Sequence, residues 1–205
     1  MKVINCFVIG IVMIHIRMEI NDMNAIEIMN EEHKNIKRML KVVRVCCKDV
    51  LDGKEINFDD FNEIVDFITN YADKHHHNKE EVHLFTKMVE HLGAMGEKIV
   101  KHGMLVEHDW GRLFIQDLKI ALEKVKAGDD DAKLDFIANA VSYCNLLERH
   151  IDKEDKVIYK FAQRELSKDI FDVIEHECKS YEEKNQDQKV KYLAMLDGLE
   201  KKYLV

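Results

Sequence analysis

Two segments of the chain share one order of side chains: His76-His77-Asn78-Lys79-Glu80-Glu81 and His150-Ile151-Asp152-Lys153-Glu154-Asp155. Aligned on His76 and His150, both place Lys at +3, Glu at +4, an acid at +5, an aliphatic residue at +8 and an aromatic residue at +9. Residues four apart in a helix sit on one face about a turn apart, so His76 with Glu80, and His150 with Glu154, each offer a nitrogen and a carboxylate to one point. The apolar +8 residues, Leu84 and Ile158, continue that face into a core. Ionisable groups on a core-facing stripe are costly to bury unless they are paired or bind a metal. Upstream, Glu32-His33 precedes His76 by 43 residues and Glu107-His108 precedes His150 by 42, counted from each histidine. The pattern predicts two helical hairpins related by a pseudo-twofold, each supplying one His from its first helix and a His/Glu pair from its second. Imidazoles mixed with carboxylates, without thiolate, favour iron or manganese over structural zinc. Two carboxylates from opposite helices can bridge two metals.

Positioning such a set requires long helices, and the composition supplies them. The 205 residues hold no proline and only eight glycines, with 46 % hydrophobic and 34 % charged residues. From Asn24, apolar residues recur at helical spacing through Met29, Ile36, Leu40 and Val43, and His33 falls on that stripe. Asp52-Gly53 closes this helix, and Asn57 or Asp59 caps the next, which runs through the histidine cluster to about Leu92. A third helix is predicted from Glu97 to about Ala127 with His108 mid-face. A fourth follows Gly128-Asp129-Asp130-Asp131 and carries Tyr143, Leu147, His150, Glu154 and Ile158. The fold class is all-α: an up-down-up-down four-helix bundle over 24–165 with a C-terminal helical extension over 166–205. Ser167 caps that extension, and Asn185-Gln186-Asp187-Gln188 is expected to interrupt it.

Residues 1–23 read as an apolar leader outside the bundle, either disordered or an over-extended start ahead of Met18 or Met23. The run at 3–16 is too short for a membrane span and lacks a small-x-small cleavage site, so no membrane partner is expected. The net charge of −8 and the lack of a basic stripe exclude non-specific nucleic-acid binding as the main role. Five cysteines without a C-x-x-C pair fit a reducing, cytoplasmic setting.

The set Glu-His, His-His-x-Lys-Glu-Glu-x-x-Leu-Phe, Glu-His-Asp-x-Gly-Arg and His-Ile-x-Lys-Glu-Asp resembles the hemerythrin-like (HHE cation-binding) family over roughly residues 24–163. The resemblance implies a bundle around an oxo- or hydroxo-bridged, non-haem pair of iron ions. It makes His33, His76, His108 and His150 terminal ligands, with Glu80 and Glu154 bridging. It implies a protein that binds or senses dioxygen or another small diatomic, rather than an enzyme. The alternative is peroxide or nitric-oxide turnover, or repair of iron centres. An interaction bundle with chance-aligned histidines is the third reading.

The chain departs from the oxygen carriers of that family, whose third helix offers two histidines four apart; here Met104 stands four before His108. His77 is the nearest candidate for a fifth nitrogen, and His77 with Glu81 repeats the His/Glu spacing. The second copy has Ile151 where His77 stands, which favours His76/Glu80 as the main pair. Tyr143 lies on the metal-facing side, Gly111, near His108, leaves room for a small ligand, and Met104 is expected to line the same pocket. His75, His77, His83, His91 and His102 are otherwise expected on solvated helix faces, and Glu107 and Arg112 as pairing groups behind the ligands. His15 with Glu19 shares the spacing but lies in the leader.

Overall fold

The computed structural model describes residues 23–204. Among these residues the chain forms five helices and no strand. We number them α1 (Ala25–Leu51), α2 (58–91), α3 (93–126), α4 (132–165) and α5 (Lys168–Tyr203). The apolar leader and the His15/Glu19 pair lie outside the described residues, and no described helix is long and apolar enough to cross a membrane.

Local chemistry sets the ends. The Asn24 side chain accepts a hydrogen bond from the Glu27 amide at 3.0 Å while the Asn24 amide donates to Glu27 Oε2 at 2.8 Å. Such a reciprocal cap is worth about 1 kcal/mol. Asn57 caps α2 through the Asp60 amide. Gly53 and Gly128 end α1 and α3 with φ of 88° and 97°, a backbone state that costs glycine no Cβ clash. Between α2 and α3 the chain turns so tightly that a Cβ on Gly96 would lie 2.1 Å from the Met88 carbonyl oxygen. Gly96→Ala is therefore expected to destabilise the fold by about 1–3 kcal/mol, as overpacking does. Thermal melting of the variant checks this, and an unchanged melting temperature would show that the turn relaxes at no cost.

Cross-helix contacts give the helix directions. Lys119 of α3 reaches Thr69 of α2 while His108 reaches Glu81, so these two run antiparallel. The same sense relates α1 to α2 (Asn35 to Tyr71, Glu32 to His76). It also relates α1 to α4 (His33 to Asp155, Arg44 to Asn145). α5 lies against α1 and α2, fixed by Arg38 on Glu200 and Asp197 and by Tyr192 on Asp66. It is one unbroken helix, against the expected interruption at Asn185–Gln188. Asn185 turns its amide back onto the Tyr181 carbonyl, and Lys189 is drawn inward to Glu182, so the polar run follows the helix instead of leaving it. α3 also starts earlier than expected, at Gly93.

The core is split. One apolar layer contains Ile36, Phe61, Phe67, Ile115, Phe136 and Leu147. The other contains Met29, Leu84, Phe85, Met88, Met104 and Ile158. Between them lies a band of buried His and Glu side chains. At this band the helices widen. Ile68–His77 and Glu80–Phe85 in α2, Val100–Met104 in α3 and Glu154–Ile158 in α4 are π-helical. Such turns are rare and gather at functional sites.

Candidate metal centre

All six residues expected to be ligands meet in this band, and His77 joins them. Ligand atoms of His33, His76, Glu80 and Glu154 lie within 4.8 Å of one another, and so do those of His77, Glu80, His108 and His150. The two groups share Glu80. Glu154 reaches into both, 3.3 Å from His33 Nε2 and 3.1 Å from His150 Nε2. All seven side chains are buried.

Each of the four repeat histidines carries a carboxylate on its outer nitrogen, supplied by a neighbouring helix. His33 Nδ1 donates to Asp155 at 2.6 Å, and His108 Nδ1 to Glu81 at 2.6 Å. His76 Nδ1 donates to Glu32 at 3.0 Å, and His150 Nδ1 to Glu107 at 2.8 Å. These partners explain the rest of the repeat. The acid at +5 holds the histidine of the Glu-His pair, and the Glu of that pair holds the histidine of the other helix. The Lys at +3 grips that same Glu: Lys79 on Glu32 and Lys153 on Glu107. A proton fixed on Nδ1 leaves the Nε2 lone pair for a cation.

The inward atoms need one. His76 Nε2, Glu80 Oε2 and both oxygens of Glu154 are buried without a hydrogen-bond partner. His108 Nε2 and His150 Nε2 face each other at 3.0 Å, two acceptors aimed at one point once both Nδ1 atoms donate outward. Converging lone pairs in a dry site are costly unless positive charge lies between them. Without a metal, protons take that place. Burial and the neighbouring Glu154 push Glu80 well above the usual carboxylate range. Burial opposes charging of His150, but Glu154 and Glu107 outweigh it and raise His150 to about 10. His76, by contrast, is lowered to about 4 by burial and by His33 beside it. The donor set fits a pair of cations.

Several residues take places the sequence pattern does not foresee. His77 and His75 are buried rather than solvated. The π turns over Ile68–His77 set three successive histidines inward, where α-helical spacing would turn at least one outward. His77 stacks on His108 with ring centroids 3.8 Å apart and binds Asp73 at its Nδ1. His75 points to Glu32 and Glu182, away from the cage. Glu81 sits behind His108, shared with Arg112, and not inside the cage. Met104 packs in the apolar layer with Leu84 and Met88 instead of lining an opening. Gly111 and Tyr143 do line a cavity, beside His77 and His108. Tyr71 faces Asn35. His83 is half-buried on Glu177, while His91 and His102 are exposed as expected. Tyr159 has the role the pattern leaves unread: its hydroxyl donates to Glu80 Oε1 and stacks its ring on His33. Its signal was the aromatic residue at +9, where the first copy has Phe85 and hence no hydroxyl.

Fold and site define a helical protein built to hold cations between His and Glu side chains. The chain matches the hemerythrin HHE cation-binding domain over residues 24–162, and it belongs to that family. No curated protein and no solved structure matches it.

Proposed function

We propose that the chain is a hemerythrin-like protein that holds two iron ions in an up-down-up-down four-helix bundle over residues 24–165, extended by 166–205. It binds or senses dioxygen or a similar diatomic. The observation that carries this reading is the pair of overlapping His/Glu groups with Glu80 common to both. His33 and His76 would serve one iron, and His77, His108 and His150 the other, with Glu80 and Glu154 bridging. An iron pair, when bound, supplies two electrons and a vacant position for a small ligand. The protein's part is to aim and shield. Glu32, Glu81, Glu107 and Asp155 hold the imidazoles in one tautomer, and the Tyr159 hydroxyl restrains Glu80. The two apolar layers cover the cage on either side. The four cysteines among the described residues are free and buried, which supports a reducing, cytoplasmic setting.

Anaerobic reconstitution followed by elemental analysis tests the reading. About two irons per chain are expected, because a shared pair of carboxylates needs two cations. Admission of oxygen should then change the absorption spectrum reversibly. A stoichiometry near one, or tight zinc binding that iron cannot displace, would remove the bridging roles of Glu80 and Glu154.

A further inference from the structure

We propose that the cavity between α2 and α3 binds a small monocarboxylate with an apolar body. Its inner end is formed by His77 and His108, so the proposal rests on the preceding reading for what the ligand approaches there, but not for the binding itself. The cavity has a volume of about 220 Å³. An apolar cavity of roughly 150 Å³ is enough for benzene, and one water takes about 30 Å³. A diatomic would leave most of this space empty. Ile68, Ile115 and Gly111 make the wall apolar, which suits a hydrocarbon body.

Polar groups define the ends, His77 and His108 inside and Lys119 at the mouth. Tyr143 is 3 % exposed and lines the cavity between them. At the mouth, Lys119 is exposed, and its ammonium donates to the Thr69 hydroxyl at 3.2 Å, with no carboxylate in ion-pair range among the described residues. The other cation of the lining, Arg112, is already held by Asp73, Glu81 and Asp109. Lys119 is thus the free charge, and it selects an anion. Thr69 and His77 are eight residues apart along α2, which spans on the order of 10 Å. That distance suits a carboxylate at Lys119 whose apolar body runs inward past Ile115 and Tyr143.

Calorimetric titration of the iron-loaded full chain with phenylacetate tests this, with acetate and phenylacetamide as comparators. One phenylacetate per chain is expected, bound roughly tenfold or more tighter than either comparator, since acetate lacks the body and the amide lacks the charge. Lys119→Glu should weaken binding by about tenfold or more. Gly111→Leu should abolish it, because a Cβ at Gly111 already lies 3.6 Å from Tyr143 and Leu147 and a longer side chain must enter the cavity. Lys119 is exposed, so its variant folds even if Gly111→Leu does not. Absence of saturable phenylacetate binding overturns the proposal, as does binding that Lys119→Glu leaves unchanged. The iron content of the same sample separates the two readings. Two irons without phenylacetate binding remove this proposal alone. Phenylacetate binding in protein that retains no iron removes the di-iron reading and leaves the cavity site standing.

Discussion

His76→Ala and His77→Ala should each lower the iron content by about half, whereas His75→Ala should leave it unchanged. The three residues are consecutive and all buried, so burial alone would not separate them. Their surroundings do. His76 shares a group with His33, Glu80 and Glu154, and His77 shares the other with Glu80, His108 and His150. His75 faces Glu32 and Glu182, where the Lys79 ammonium already supplies the positive charge. Loss of a residue that merely supports a ligand weakens metal binding by about 10- to 100-fold, and loss of the ligand itself should exceed that. Dialysis against a weak chelator followed by elemental analysis reads the result. Two irons retained in His77→Ala would return that residue to a packing role. Iron lost on His75→Ala would mean that the network behind the cage is needed to hold it. The double variant of His76 and His77 is expected to keep almost none.

Much of this centre is legible in the sequence because its parts repeat. The spacing of His76 with Glu80 and of His150 with Glu154 follows from one helical turn, and it holds whatever the loops do. The acids at +5 and the lysines at +3 also repeat, but their partners lie on other helices, so their roles become clear only in three dimensions. Glu81 shows the difference: it copies the ligand spacing from His77, yet the crossing of α2 and α3 sets it behind His108. His75 and His77 were hidden for another reason. A π turn has no signature in a 3.6-residue hydrophobic period, and it arises where packing or a buried polar group favours a wider turn. The continuity of α5 was equally hidden, since a polar run reads as a break until Lys189 is seen to have a buried partner in Glu182.

Lys79→Met should destabilise the metal-free protein by about 3–5 kcal/mol, while Lys153→Met, its counterpart in the repeat, should change stability by less than about 1 kcal/mol. The two lysines occupy the same position in the motif and grip equivalent glutamates. Lys79 is fully buried between Glu32 and Glu182, with Lys189 on the far side of Glu182; the Lys153 side chain is 42 % exposed. Burial opposes the charge on Lys79, but Glu32 and Glu182 outweigh it and hold its pKa above the usual value, so it is charged at neutral pH. Removing it leaves two buried carboxylates facing one ammonium, a loss that water cannot make good. A second change then separates charge from shape: adding Glu182→Leu to Lys79→Met removes the orphaned carboxylate and should recover a large part of the stability, as apolar replacement of a buried ion pair often does. Chemical denaturation of the two single variants and the double variant measures all three. If Lys79→Met is as mild as Lys153→Met, the cluster joining α5 to α1 and α2 is hydrated in solution and does not clamp the helices. If the double variant is as unstable as Lys79→Met alone, the loss comes from packing and not from an unpaired charge.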